Sequence, residues 1–129
     1  MRLSKLSPYN LLALDSFGAC ISAFLLINIL TSYIHVFGIP RSVLYTLGIP
    51  PLCFAMFDLI AISLTESKKI VSLKIIASLN LAYCLLSLTM ASVHYEKITL
   101  WGWGYLLIEV LIVVGLALLE FRVAGNLKA

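Results

Sequence analysis

The stretch WGWGYLLIEVLIVVGLALLEF runs from Trp101 to Phe121 and has the length and composition of a membrane span, interrupted near its middle by one acid, Glu109. A helix needs about 20 largely apolar residues to cross a hydrocarbon core about 30 Å thick. Eleven Leu, Ile and Val residues lie between Leu106 and Leu119. At about −0.3 to −0.6 kcal/mol each they contribute roughly −3 to −7 kcal/mol to insertion, against roughly 2.5–3.5 kcal/mol for a central acid if Glu is taken to resemble Asp. The span tolerates Glu109. Tolerance leaves its purpose open, and an ionisable residue inside a span is a functional-site hypothesis by default.

Three further stretches of similar character precede it, at 11–34, 43–65 and 70–93. The chain has 129 residues, 62% of them hydrophobic and 12% charged, with a mean hydropathy of +1.08. Soluble domains carry about 25% charged residues, so only a bilayer can cover this much apolar surface. The expected fold is all-α: a four-helix transmembrane bundle, a single integral membrane domain over 1–129. Short connections make neighbouring helices antiparallel. The first span does not read as a cleavable signal peptide, because its apolar run exceeds about 7–15 residues and contains Asp15.

Basic residues set the expected orientation. Arg2, Lys5, Lys68, Lys69, Lys74, Arg122 and Lys128 fall on one side of the four spans, and only Arg41 and Lys97 on the other. Both termini are therefore expected in the cytoplasm (N-in, C-in), in a multi-pass protein of the cell membrane. The net charge of +3 orients the chain and meets anionic lipid headgroups; no nucleic-acid partner is implied. Membrane lipids are the expected surroundings, with a homo-oligomer or a larger membrane complex as possible assemblies.

Two Gly-Ile-Pro units punctuate the first outer connection, at Gly38–Pro40 and Gly48–Pro50. Pro50 and Pro51 remove two backbone donors, so the second span is expected to be kinked or led in by a short interfacial helix over 41–47. The alternatives for this break are a simple kink filled by neighbours and a cavity-lining interruption.

The third span carries the clearest pattern. Ala77, Asn80, Cys84, Ser87, Ala91 and His94 step by three or four, one helical stripe of small and polar residues such as helix–helix interfaces in membranes prefer. Asp15, Gly18 and Ser22 form a stripe on the first span, and Gly102, Tyr105, Glu109 and Glu120 lie close to one line on the fourth. Asp15, Asp58, Asn80 and Glu109 mark successive depths, as a proton or cation relay would require. With Ser87 they form the candidate ligand- or ion-binding set. Glu120 and Glu66 are expected at the interface.

The outer edge gathers a polar cluster of His35, Arg41, His94 and Glu96, beside Tyr95, Lys97, Trp101 and Trp103. The aromatic residues have an ordinary role as interfacial anchors. Metal binding is not expected, since no local ligand spacing supports it. Neither is haem: the two His lie at span ends, outside the bundle interior. Cys20, Cys53 and Cys84 form no C-x-x-C pair and are expected to act as small hydrophobes. No cofactor is expected.

NLAYCLLSL at Asn80–Leu88, HYEKITL at His94–Leu100 and FGIPRSVLY at Phe37–Tyr45 resemble segments of small bacterial four-span membrane proteins. The resemblance extends over most of the chain, implies the four-span fold, and brings no activity or catalytic residue with it. With no phosphate loop, nucleophile–base motif or metal signature, no catalytic residue is expected. The function expected from sequence is a structural or accessory, partner-binding membrane subunit. The alternative is a small proton- or ion-coupled transporter or lipophilic-ligand-binding protein using a polar seam around Glu109.

Overall fold

A computed structural model describes residues 8–126. Arg2, Lys5 and Lys128, three of the cations used to orient the chain, lie outside the described residues. The described chain is all-helical. Helix α1 (Pro8–Phe24) passes into a π-helical stretch (Leu25–Ile29) and a last turn α2 (Leu30–Ser32); a single turn α3 (Ile34–Phe37) follows; then come α4 (Arg41–Ile62), α5 (Glu66–Val93) and α6 (Leu100–Asn126). Three helical segments are long and apolar enough to cross a membrane: Tyr9–Ser32, Arg41–Ile62 and Ser67–Val93.

The exterior has the same character. Phe17, Met56, Leu59, Ile60, Leu85, Leu111 and Ile112 are all exposed, and water would not tolerate so continuous an apolar surface on a stable monomer. These are the features of a membrane protein.

The first helical line bends where its hydrogen bonding loosens. The π stretch leaves carbonyls offset from their usual partners. The Thr31 and Ser32 hydroxyls answer by donating to backbone carbonyls within the same turn, Ser32 to Asn28 O at 2.8 Å. Tyr33, at φ −125° and ψ 38°, then ends the regular run. Gly48 of α4 packs on Ile27 of the π stretch, so a residue without a side chain sits where the bulged helix presses closest.

Gly38 closes α3 at φ +70°, a left-handed conformation that glycine adopts without penalty. A Cβ at Gly38 would also collide with the Lys97 carbonyl, and one at Gly102 with the Phe37 carbonyl. Thr99 N donates to Phe37 O at 3.1 Å, and Thr99 Oγ1 to Val36 O at 2.6 Å. The connections around Gly38 and Lys97 are thereby tied together at one end of the bundle.

Helix α4 corrects the expected interfacial lead-in. It begins at Arg41, with Pro40 before its first turn, and runs as one helix through Pro50 and Pro51. Its 22 residues extend about 33 Å, enough to cross without a separate segment. It stops at Ile62 rather than 65, where Ser63 N and Oγ both turn back to Ile60 O.

Packing is uneven around the bundle. α1 lies along α4, α4 along α5, and α5 along α6, whereas α1 and α6 touch only sparsely. Two apolar plugs fill the ends. One contains Leu26, Leu30, Val43, Leu47 and Leu106; the other Leu11, Leu12, Leu73, Ile76 and Val123. On α5 the buried face is the stripe read from sequence: Ala77, Asn80, Cys84, Ser87 and Ala91 are all buried. The polar residues of the chain's interior lie on that face and opposite it.

Candidate functional site: a lateral cavity between two carboxyl groupings

Where α1 and α6 fail to close on each other, a cavity of about 380 Å³ opens. Its sides are Gly18 and Ser22 on α1, Leu25 at the start of the π stretch, and Tyr105, Glu109 and Ile112 on α6. Pro51 and Phe54 of α4 and Asn80 and Tyr83 of α5 form its floor. The volume falls in the range of small-molecule pockets, about 300–1,000 Å³, and the mostly apolar lining with a few convergent polar groups is their usual make-up. Gly18 meets nothing within 4 Å of where a Cβ would stand. On α1 the small residue thus opens space instead of tightening a helix contact.

Glu109 is buried at the α6 wall. Ser22 Oγ donates to its Oε2 at 3.0 Å, and the Tyr83 hydroxyl lies 2.9 Å from its Oε1. Tyr105 turns its hydroxyl toward the same carboxyl. Aromatic neighbours hold both tyrosines: Phe54 meets Tyr83 edge-on with ring centroids 6.1 Å apart, and Phe37 meets Tyr105 at 6.5 Å.

The prolines explain why Tyr83 is there. Pro51 has no N–H, so the Leu47 carbonyl four residues earlier loses its helical donor. Tyr83 supplies the replacement, its hydroxyl 2.6 Å from Leu47 O. That hydroxyl has one proton and two neighbours that accept. When it donates to Leu47, its contact with Glu109 is completed by a proton on the carboxyl. When it donates to Glu109, the carboxylate accepts from Tyr83 and Ser22 together. The site therefore has two arrangements that differ by one proton: with Glu109 protonated every group is bonded, and with Glu109 ionised the Leu47 carbonyl gives up its donor. Pro51 lines the cavity, as the second reading of the proline break expected, but α4 continues through it without the interruption that reading entailed.

A second grouping lies at the other end of the cavity. The Asn80 amide donates to Asp15 Oδ1 at 2.9 Å and to Glu120 Oε1 at 3.3 Å. Asp58 is fully buried and comes within hydrogen-bonding reach of Asp15. Four helices contribute one residue each. Glu120, expected at the interface, is instead fully buried; it lies three turns from Glu109 along one face of α6, and that alignment was visible in the sequence.

Of the candidate residues, Asp15, Asp58 and Asn80 are brought together, while Glu109 sits apart from Asn80 with partners of its own. Ser87 is buried, and its hydroxyl has no partner; it does not line the cavity. The outer polar cluster does not assemble into a site. His94 Nδ1 contacts its own Met90 O at 3.0 Å, the His35 ring lies against Tyr33 with centroids 6.4 Å apart, and Arg41 and Glu96 are exposed. No grouping of three His, Cys, Asp or Glu among the described residues has the arrangement to hold a metal ion. All three cysteines are free thiols: Cys84 is buried near Val110 O, whereas Cys20 and Cys53 face outward on the apolar surface rather than inward.

Ser22, Tyr83 and Tyr105 are the members of the Glu109 site that the sequence did not single out for binding. Ser22 stood on a stripe read as packing, and Tyr83 is an ordinary interior aromatic until Pro51 is seen to orphan the carbonyl it serves. Comparison with protein-family models, with curated proteins and with solved structures returned no match.

Proposed function

We propose that this chain is a four-span protein of the cell membrane, N-in and C-in, with α6 as the fourth span, and that its lateral cavity binds an amphipathic ligand with a cationic head. The observation that carries the reading is Glu109, a buried carboxyl in the wall of an apolar cavity about 380 Å³ in volume that opens between two helices. A purely structural subunit has no use for such a space. An apolar ligand body would enter laterally from the lipid, and its head would meet Glu109 among the rings of Tyr83, Tyr105 and Phe54. A carboxylate supplies charge, and the ring faces add cation–π attraction of about 2 kcal/mol when desolvated.

Proton exchange follows from the two bonded arrangements of Tyr83. In the empty cavity a proton on Glu109 completes the contact while Tyr83 holds Leu47. An arriving cation displaces that proton, and Tyr83 and Ser22 both donate to the resulting carboxylate. Whether such exchange drives transport depends on the cavity opening in turn to each side; binding itself requires only the cavity.

The test is calorimetric titration of the purified protein in nanodiscs with benzyltrimethylammonium, a quaternary cation that cannot lose a proton itself. Wild type is expected to bind. Glu109→Gln and the cavity-filling Gly18→Leu are each expected to weaken binding at least about tenfold, or about 1.4 kcal/mol. Equal affinity in all three proteins would remove the reading.

A further inference from the structure

The carboxyl grouping at the other end of the cavity is not needed to hold a ligand at Glu109, and its hydrogen bonding does not close. Asn80 has two amide protons, and both are committed, one to Asp15 and one to Glu120. Asp58 is fully buried, and neither of its oxygens meets a donor. Asp15 Oδ2 and Glu120 Oε2 are likewise buried without a partner. A buried polar atom left unpaired costs about 1–3 kcal/mol, more when charged. Each of these four atoms is an acceptor, so no rearrangement among them can satisfy the others.

The groups facing the grouping give no relief. α1 contributes Asp15, α4 Asp58, α6 Glu120 and α5 the neutral Asn80. Among the described residues no lysine or arginine acts on Asp58 or Glu120, and Lys68 and Arg122 are exposed. Adjacent carboxylates in a low-dielectric interior cannot all ionise. The missing component is positive charge, supplied as protons or as a bound cation, and the residues lack the arrangement of a metal site.

We infer that Asp15, Asp58 and Glu120, with Asn80 bridging Asp15 and Glu120, form a proton-binding site in which Asp58 carries a proton and donates it to Asp15. One proton between them satisfies an oxygen on each carboxyl. Asp58 does not line the cavity but Asp15 does, so Asp15 is the member that exchanges. As the O–H bond on Asp58 breaks, one forms on Asp15, leaving a carboxylate on Asp58; Asp15 then passes the proton to a water molecule entering the cavity, and the reverse transfer returns one, so that the grouping is fully ionised only in passing. The site stands apart from Glu109 and holds its proton whether or not a ligand binds there.

Infrared spectroscopy of the carboxyl C=O stretch tests this in a Glu109→Gln background without ligand, so that Glu109 and its proposed ligand contribute nothing. At neutral pH a protonated-carboxyl band is expected, shifted on transfer to heavy water. It should be lost or halved in Asp58→Asn and altered in Asp15→Asn, with helical circular dichroism retained in at least one of them. Titrating the Glu109→Gln protein itself to alkaline pH should also abolish the band, a readout that needs no further variant. Absence of the band at neutral pH, its persistence unchanged in both aspartate variants, or its removal at neutral pH by sodium ions would each overturn the assignment, the last in favour of a cation site.

Discussion

Tyr83 is the residue on which the interior turns. It replaces the backbone donor that Pro51 removes and touches the carboxyl that faces the cavity. Tyr83→Phe leaves the Leu47 carbonyl unpaired in the interior and should destabilise the protein by about 1–3 kcal/mol. Pro51→Ala restores an N–H four residues beyond Leu47, so the same Tyr83→Phe change should cost less in that background. A double-mutant cycle of thermal unfolding measures the coupling; strictly additive costs would show that Tyr83 does not stand in for the missing donor. Glu109→Gln retains shape and loses only charge and acidity, so the bundle should fold with a melting temperature close to that of wild type. A large loss of stability there would mean that the carboxylate itself holds the helices together.

Among the elements, the glycines separate close packing from open space. Gly38 is held at φ +70° against the Lys97 carbonyl, and Gly102 faces the Phe37 carbonyl. Alanine at either position meets backbone, which cannot swing aside, and should destabilise by at least about 1 kcal/mol. Gly18→Ala places its methyl in the cavity and should be neutral or slightly stabilising, since alanine favours helix by about 1 kcal/mol over glycine. Thermal unfolding of the three variants in one detergent decides it; equal losses would mean that α1 and α6 are packed as tightly as the end that holds Gly38 and Gly102. Much of this level was legible beforehand. Hydropathy gave the long helices, and the step of three and four from Ala77 to Ala91 gave the buried face of α5. The continuity of α4 was not legible, because proline's local rule forecasts a break, while the side chain that compensates comes from another helix. The inward face of Glu120 was legible from its register with Glu109, but its position near a span end argued for the interface. What no periodicity could convey is that α1 and α6 leave a gap, since stripes of small residues describe close contact and cavity walls alike.

At the scale of the whole molecule, two apolar plugs enclose a polar middle, and the cavity reaches that middle from the side. The proposed ligand and its exchanging proton would thus pass laterally, past ends filled by apolar side chains. The proposed orientation predicts that Lys97→Cys, at an exposed position in the loop tied to Gly38, labels in intact cells with an impermeant thiol reagent in a cysteine-free background, while Ser67→Cys, also exposed but at the opposite end, does not. The reverse pattern would invert the topology. Cation affinity should rise with pH, by about tenfold per unit while Glu109 remains protonated, because the cation and the proton compete for one carboxyl. Proton exchange at Glu109 is read most directly from the protons released when benzyltrimethylammonium is added to the weakly buffered protein. About one proton per bound cation is expected from wild type and none from Glu109→Gln; binding by wild type without release, or equal release from the variant, would contradict exchange at this carboxyl.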